Sequence, residues 1–531
     1  MNAFYRLLST AAIGFAVGLS SIAAHAETPA NMLVIAGRID DITTIDPAQS
    51  FEFAGSDVSR NVYNKLVNFD PLNLDAGYQP ELAESWIVSE DGRTITFTMR
   101  DGIKFHSGNP VRAEDAEFSL RRVVTLNKTP SFILTQFGFT AENVGETIVA
   151  EGNTVRITTD KRYATSFVLN CLTATIGGIV DKEVVMANEE DGDLGNAWLA
   201  TNSAGSGPYK LQSWKPNDSV TLVSNPAYFG GAPAMERVIV RHVQESATQR
   251  LMLERGDIDV ARNLNPEDIA GARKADGVVI DDELRGRLMY ISVNQKHPVL
   301  SKPEVRQAIK YLVDYEGMQN SFLKGQYTIH QNFLPRTYLG AVDENPFSLN
   351  IEKAKALLAA AGVGPFEIEV GVREAQERIE ISQSLQNTFA QVGITVNITV
   401  GTAKAILGRY RARELDMYMG AWGPDYPDPH TNAGTFAYNP VNTDEAGATG
   451  LLAWRNAWDT GGLTAKVDAA VIEGDRDTRA KMYADIQAKF RDTAPFAVLF
   501  QKIEQTGRSE AVKNLNLGGA ITAVSYWPVT K

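Results

Sequence analysis

The chain has 531 residues, a formal net charge of −13 and 44% hydrophobic residues. This balance is typical of a globular protein, and a chain of this length forms about two or three domains. An acidic surface repels phosphate backbones and anionic lipid, so the composition argues against nucleic acid or a membrane surface as a partner.

The first 26 residues have the order of a secretory signal peptide. One charge, Arg6, precedes an apolar stretch that Ser and Thr dilute, and the segment closes on Ala24-His25-Ala26. A membrane-spanning helix needs about 20 strongly apolar residues, and this stretch is too short and too rich in small polar residues to be one. The sequence therefore predicts export, cleavage after Ala26 and a mature protein that begins at Glu27 without a membrane anchor.

The sequence contains a single cysteine, Cys171. It has no partner for an intrachain disulfide, and it lies too far from the predicted cleavage site to be the acylated first residue of a lipoprotein. We therefore expect stability from ordinary hydrophobic cores, with Cys171 buried as a small apolar residue.

Helical and strand-like patterns alternate along the chain, which predicts an α/β architecture. The strand predictions are residues 33–37, 94–99, 366–370, 394–400, 415–419 and 496–500, and the helix predictions are residues 57–67, 351–361, 381–392 and 482–490. The segment 496–500 is apolar at every position, as in a sheet that helices cover on both faces. Ligands of such sheets bind beyond the carboxyl ends of the strands, so the loops there are the first candidates for a site.

No catalytic or cofactor-binding motif stands out. The sequence has no H-E-x-x-H, no paired C-x-x-C, no G-x-S-x-G nucleophile elbow and no phosphate-binding P-loop. The histidines beyond the signal segment occur singly, without metal-ligand spacing: His106, His242, His297, His330 and His430. We expect neither a cofactor nor a metal ion, and an enzyme is not the leading hypothesis.

The most distinctive segment is 420–430, where two carboxylates, two aromatic rings and three prolines follow the predicted strand 415–419. Proline fixes the backbone in advance, so a carboxylate held there loses little entropy when it binds a cation. Asp425 is suited to pair with an ammonium group, while Trp422 and Tyr426 offer cation–π faces or apolar walls. The alternative is a turn whose aspartates only cap helices or turns, and Asp428, next to a predicted helix start, fits that alternative better.

Ordered motifs accompany this loop along nearly the whole mature chain. They are Ile45-Asp46-Pro47, 80–86, 96–108, Ala113-Glu114-Asp115, 205–209, Asn225-Pro226, 256–259, Asn294, 305–309 and the Ala- and Lys-rich helix that ends at Gly362. In these motifs and their spacing the chain resembles the peptide, opine and nickel group of substrate-binding proteins from ABC importers, solute-binding family 5, which includes the oligopeptide- and dipeptide-binding proteins.

The resemblance implies a two-lobed, clamshell periplasmic binding protein with an additional inserted domain. Lobe one would comprise residues 27–68, 202–288 and 500–531, the inserted domain residues 69–201, and lobe two residues 289–499. A small peptide-like solute would bind between the lobes, and the closed form would dock on permease subunits in the inner membrane. The protein would be a monomer, free in the periplasm.

The resemblance also implies ligand-binding residues. Asp425 matches the aspartate that pairs with the amino group of bound peptides, and Trp422 matches an aromatic residue before it. Glu52 and Phe53 lie in the region where lobe one approaches the ligand. In dipeptide binders an arginine early in the helix before Gly393 takes the ligand carboxylate; the matching position here is Ile379, and the arginine is its neighbour, Arg378. One residue turns a helical side chain by about 100°, so the carboxylate end stays unassigned.

Other functions remain open at this stage. Within the same fold the solute could be an opine, an oligosaccharide or a chelated metal, for which His430 is the histidine nearest to the loop. From another class, a secreted hydrolase would need a nucleophile or paired carboxylates that the sequence does not reveal. A periplasmic chaperone or signalling receptor would use the same clamp.

Overall fold

The computed structural model describes residues 27–70, 73, 76–518 and 524–531. The predicted signal segment, residues 1–26, lies outside them. Helices and strands alternate, as the sequence predicts. The strands are β1 (Met32–Gly37), β2 (Val67–Phe69), β3 (Tyr78–Pro80), β4 (Ala83–Val88), β5 (Thr94–Met99), β6 (Ile148–Glu151), β7 (Thr154–Thr158), β8 (Tyr209–Lys215), β9 (Ser219–Ser224), β10 (Arg237–His242), β11 (Val260–Ala261), β12 (Val278–Val293), β13 (Tyr327–Ile329), β14 (Phe366–Arg373), β15 (Ile394–Gly401), β16 (Met417–Trp422) and β17 (Phe496–Ser509).

The α-helices lie between and beside these strands. They are α1 (Phe53–Val62), α2 (Ala113–Leu126), α3 (Phe132–Thr135), α4 (Val144–Thr147), α5 (Thr165–Leu172), α6 (Lys182–Ala187), α7 (Asn196–Leu199), α8 (Ser246–Glu254), α9 (Pro266–Ala272), α10 (Pro303–Tyr311), α11 (Tyr315–Asn320), α12 (Ile351–Ala360), α13 (Gln376–Ala390), α14 (Ala403–Arg411), α15 (His430–Phe436), α16 (Leu452–Arg455), α17 (Leu463–Ile472) and α18 (Arg476–Thr493). In the part of the chain that the structure describes, no helix combines the length and apolarity that a membrane span requires.

One large sheet joins strands from both halves of the sequence in the order β15-β14-β16-β12-β17-β11-β1-β10-β9-β8, with β13 also paired to β17. The long strands β12 and β17 pair antiparallel, and their register breaks between Leu284 and Leu288. On one side of the break β12 pairs with β16, and on the other β17 pairs with β11. These two strands therefore connect the two halves of the sheet.

A second sheet, β4-β5-β7-β6, forms from residues between β3 and α5. Its inner face packs on a separate hydrophobic core that includes Phe97, Phe137 and Phe167. Cys171 belongs to the same core, where it is fully buried as a free thiol, as the sequence predicts. Burial raises the pKa of this thiol, which makes it an unreactive packing group.

Most of the predicted elements are confirmed. β5 occupies residues 94–99 with alternating burial, and the segment 496–500 is buried at every position within the longer strand β17. The helix predicted at 57–67 instead runs from Phe53 to Val62. The carbonyl of Val62 accepts the Gly207 amide at 2.9 Å, which draws the chain out of the helix. A Cβ at Gly205 would lie 2.0 Å from the same carbonyl oxygen, so only glycine fits there.

A buried ion pair ties the segment before α1 to α2. Arg122 donates from Nη1 and Nη2 to the two carboxylate oxygens of Asp46 at 2.7 and 2.5 Å, and neither residue is more than 2% exposed. Asn196 donates to Asp46 at 2.6 Å and the Ala48 amide at 2.9 Å, so the carboxylate is fully hydrogen-bonded. A pair of this kind is sensitive to the removal of one partner, because the other charge is left buried.

We expect Arg122→Met to lower the free energy of unfolding by about 3–5 kcal/mol, the effect of leaving one buried charge unpaired. Urea denaturation followed by circular dichroism measures this change. The double variant Asp46→Asn/Arg122→Met should lose less than the sum of the single changes. Arg156→Met is the control, since Arg156 pairs on the surface with Glu151 and should lose less than about 1 kcal/mol. Equal losses in the two single arginine variants would contradict the assignment.

Candidate functional site

The loop after β16 lies beyond the carboxyl end of a central parallel strand. β16 pairs parallel with β14 and antiparallel with β12, where Trp422 lies opposite Leu288. The indole Nε1 of Trp422 donates to Asn432 Oδ1 at 3.1 Å, and its ring meets Phe436 edge-on at 6.1 Å. The start of the loop is thereby fixed, and the Trp422 ring remains half-buried.

Asp425 carries an uncompensated carboxylate. Its backbone amide donates to Thr431 Oγ1 at 3.0 Å, which fixes the main chain. Among the residues that the structure describes, none donates a hydrogen bond to the Asp425 carboxylate or forms an ion pair with it. Burial raises the pKa of Asp425 to about 7, with no nearby cation to oppose the effect. A cation in contact with this carboxylate would remove the penalty.

Asp428, three residues later, is fully compensated. Arg479 donates to its two carboxylate oxygens at 2.8 Å each, Asn170 Nδ2 donates at 3.0 Å and the His430 amide at 2.8 Å. Burial alone would raise the pKa of Asp428, but Arg479 and these hydrogen bonds bring it below its usual value. Because Asn170 belongs to α5 and Arg479 to α18, Asp428 links two parts of the fold, in line with the structural alternative.

Tyr426 is placed away from the solvent. Its ring is 7% exposed, lies 5.8 Å from the Phe167 ring and joins the core beneath the second sheet. Its hydroxyl donates to Gln136 Oε1 at 3.3 Å. Tyr426 therefore anchors the loop through packing and a hydrogen bond, in place of the exposed wall that the sequence suggests.

The start of α1 reaches the same loop. Phe53 is 76% exposed, and its Cζ lies 3.6 Å from the position that a Cβ on Gly423 would occupy. Glu52 precedes it, and its Oε2 accepts from Thr43 Oγ1 at 3.3 Å and from the Phe51 amide at 3.2 Å. Of the two predicted residues of this region, the structure brings Phe53 to the Asp425 loop, while Glu52 is tied to the turn before α1.

Arg378 lies in the first turn of α13, beyond the carboxyl end of β14. It is 7% exposed, and its Nε is buried without a hydrogen-bond partner. Burial, together with the neighbouring cations Arg287 and Arg373, lowers its pKa. Ile379, the position indicated by the count from Gly393, packs as a half-buried apolar residue. Arg378 and Asp425 therefore follow adjacent parallel strands, one with a free guanidinium and the other with a free carboxylate.

His430 is enclosed at the start of α15. Its ring lies 5.0 Å from the Phe167 ring, and burial lowers its pKa to about 4. Within the described ranges, no three His, Cys, Asp or Glu side chains are grouped so as to hold a metal ion. The geometry gives no support to a metal site built on His430.

Sequence reasoning missed several residues of this region. Arg479, the partner of Asp428, is 51 residues away along the chain, and no local signal identifies it. Phe53 was predicted as a site residue, but its contact with the Asp425 loop was not, because that contact depends on how the two halves of the sheet are oriented. Arg373, at the end of β14, is a further cation near Arg378 that no motif indicates.

Comparison with known proteins identifies the family of the chain. The family model of the bacterial extracellular solute-binding proteins, family 5 Middle, matches residues 77–444. The probable D,D-dipeptide-binding periplasmic protein of Escherichia coli (strain K12) is 28% identical over 498 residues, which cover 92% of this chain and 92% of that protein.

Two solved structures share the fold. The chain matches the ABC transporter-associated periplasmic binding protein of Helicobacter pylori, in complex with the peptide STSA, with a TM-score of 0.78 and 23% identity, covering 94% of this chain and 98% of that one. NikZ of Campylobacter jejuni, in complex with Ni(L-His), matches with a TM-score of 0.74 and 20% identity over 95% and 100% of the two chains. The predicted periplasmic-binding-protein fold is thus confirmed, and because the family model covers more than half of its length, the chain belongs to the bacterial extracellular solute-binding proteins, family 5.

Proposed function

We propose that the protein is the exported binding component of an ABC importer and that it captures an amine-bearing, peptide-like solute between two lobes. Membership of family 5 and the dipeptide-binding description of its Escherichia coli relative support the solute class. The relatives reported above are binding proteins and not enzymes, which favours retention of the solute over turnover.

The observation that carries the proposal is the unpaired carboxylate of Asp425. A half-buried, desolvated carboxylate without a partner is unfavourable, and an ammonium group is the complement that its position lacks. The bond between them would be charge-assisted, with a net contribution of about 1.5–3 kcal/mol. Thr431 and the packed side chain of Tyr426 hold the loop in place before the ligand arrives, which reduces the entropy lost on binding.

The other predicted residues take roles around this bond. Trp422 and Phe53 form apolar walls on the two sides of the site, and Glu52 is a second acceptor for the amine at the start of α1. Arg378 is the candidate for the carboxylate end, since its buried guanidinium has no protein anion bound to it. A zwitterion placed between Asp425 and Arg378 would neutralise both groups.

We propose the same division of the chain as the sequence predicts, with lobe one at 27–68, 202–288 and 500–531, the inserted domain at 69–201 and lobe two at 289–499. The register break between Leu284 and Leu288 supports a hinge where β12 crosses from one half of the sheet to the other. Lobe closure over the solute would then bend β12 and β17 at this break.

Cellular placement follows from the family and from the start of the chain. Family 5 proteins are extracellular binding proteins, and periplasmic in the relatives reported above. Residues 1–26 would direct export, and Cys171 is buried, so it offers no site for a lipid anchor. A freely diffusing monomer that docks on an inner-membrane permease fits these features.

A chelated metal is the second candidate, favoured by the likeness to the nickel-bound protein of Campylobacter jejuni. The amine of a chelating amino acid would also suit Asp425. Metal analysis of the protein as purified separates the two candidates, because a stoichiometric metal ion would favour the chelate.

We expect Asp425→Ala to weaken binding of an L-Ala-L-Ala or D-Ala-D-Ala dipeptide by more than about 1.5 kcal/mol, or at least tenfold, through loss of the charged hydrogen bond. Isothermal titration calorimetry measures the affinity. N-acetylation of the dipeptide should weaken binding to the natural protein by a similar factor and have little further effect on the variant. Asp485→Ala is the matched control, since Asp485 is an exposed carboxylate of α18 paired with the exposed Lys466. Unchanged affinity in Asp425→Ala would refute the assignment of Asp425.

Asp425 also predicts a pH dependence of the unliganded protein. Its pKa is about 7 in the folded state and about 3.9 in an unfolded chain. The folded state therefore binds this proton more tightly, so the contribution of Asp425 to stability is greatest below about pH 4 and is lost as the pH rises through about 7. Asp425→Asn removes this loss and should stabilise the unliganded protein at pH 8 more than at pH 5. The pKa difference sets an upper bound of about 4 kcal/mol on the gain in the free energy of unfolding at pH 8. Urea denaturation at the two pH values measures the difference, and an equal effect at both would contradict a desolvated Asp425.

A further inference from the structure

The proposed lobe two contains a group of arginines beside Tyr418, next to Arg378 but not including it. We define the Tyr418 arginine cluster as Arg373, Arg411 and Arg455. Arg373 ends β14, Arg411 ends α14 and Arg455 ends α16. Three different elements therefore bring positive charge to one place.

The sheet register and the stacking of rings define the position of the cluster. Gly371 of β14 lies beside Tyr418 of β16, and Arg373, two residues further along β14, is on the same face of the sheet. The Tyr410 ring stacks on the Tyr418 ring with centroids 4.1 Å apart. Arg411 follows Tyr410 in the chain, and the guanidinium carbon of Arg455 lies 5.4 Å from the Tyr410 ring centroid.

Within the described ranges the cluster has no protein counter-ion; the Nε of Arg455 donates to the Thr449 carbonyl at 2.7 Å. For the side chains of Arg373 and Arg411, no hydrogen bond or ion pair exists with any residue in the described ranges, and the Nε of Arg373 is buried without a partner. Burial and then the charges of Arg455 and Arg373 lower the pKa of Arg411. Glu377, the carboxylate that acts on the neighbouring Arg378, already pairs with Arg287 at 3.4 Å.

Several other buried or partly buried arginines have a carboxylate partner. Arg122 pairs with Asp46, Arg479 with Asp428, and Arg262 with both Asp57 and Glu504. In the Tyr418 arginine cluster Arg455 is buried, Arg373 is half-buried and Arg411 is exposed. Their like charges repel one another even where water screens them, and no anion of the described residues offsets this repulsion. An anion supplied by the solute would provide the missing partner, and the planar guanidinium fork is suited to a carboxylate.

We propose that the Tyr418 arginine cluster is a second anion subsite and that the solute carries a second carboxylate in addition to its amine and its terminal carboxylate. This inference rests on the proposed function, because it assigns the remaining part of the same solute. Asp425 takes the ammonium group, Arg378 takes one carboxylate, and Arg373 with Arg411 takes the other. The solute class is then an acidic dipeptide or an amino compound with two carboxylates.

The test compares two dipeptides that differ in one charge, Ala-Glu and Ala-Gln, by isothermal titration calorimetry. The natural protein should bind Ala-Glu at least about tenfold more tightly, the effect of one charged hydrogen bond. In the double variant Arg373→Gln/Arg411→Gln the preference should fall to less than about twofold. Arg409→Gln is the matched control, since Arg409 lies on α14 and pairs with Glu369, and it should keep the preference.

Two outcomes of the titration overturn the inference without affecting Asp425. They are equal affinity of the natural protein for the two dipeptides, and a preference that survives in the double variant. In both cases the titration of Asp425→Ala still tests the proposed function separately.

A second measurement does not depend on peptide binding. Glutarate, a dicarboxylate without an amine, should raise the Tm of the natural protein and leave that of the double variant unchanged. Without any ligand, the double variant should be at least as stable as the natural protein, because the repulsion between cations is relieved. A lower Tm of the unliganded variant would indicate a structural role for these arginines and overturn the subsite, as would the absence of a glutarate effect.

Discussion

The antiparallel pairing of β12 with β17 is the constraint on which the site depends, because these strands belong to both halves of the main sheet. An ionic network reinforces the pairing close to the register break: Glu504 accepts from Arg285 at 2.6 Å and from Arg262 at 3.1 Å. Burial would raise the pKa of Glu504, but the two arginines lower it to about 2. With the crossing fixed in this way, Phe53 from one half meets the loop that carries Asp425 in the other.

Asp425 and Asp428 show how one short loop combines a structural carboxylate with the carboxylate of the proposed binding site. Asp428 has its charge neutralised by Arg479 and holds the loop against α5, while Asp425 is left without a partner. A half-buried carboxylate without a partner destabilises the unliganded fold, and the loop keeps its shape because Tyr426 packs in the core and Asp428 is bound by Arg479 and Asn170. A cation that binds to Asp425 would remove this desolvation penalty, and the free energy recovered would add to its affinity.

Sequence patterns predicted the elements whose signal is local and missed the features that depend on tertiary contacts. Alternation identified β5, and the unbroken apolar run at 496–500 indicated a strand buried on both faces. The predicted end of α1 was wrong because the Gly207 amide, far along the chain, donates a hydrogen bond to the Val62 carbonyl. Composition marked the proline-rich loop and the family resemblance singled out Asp425 within it, whereas the burial of Tyr426 and the grouping of Arg373 with Arg411 arise only when separate elements pack.

Charge placement gives a physical reason for closure that depends on the solute. The unliganded protein contains a desolvated carboxylate at Asp425 and guanidinium groups at Arg378 and Arg373 that lack bound anions. A ligand shifts a conformational equilibrium only by the difference in its affinity for the two states. A solute whose charges complement these groups gains most when the lobes exclude water, since electrostatic attraction strengthens as the local dielectric falls. A neutral compound of the same shape gains little from exclusion of water, so the arrangement favours closure around a charged, zwitterionic solute.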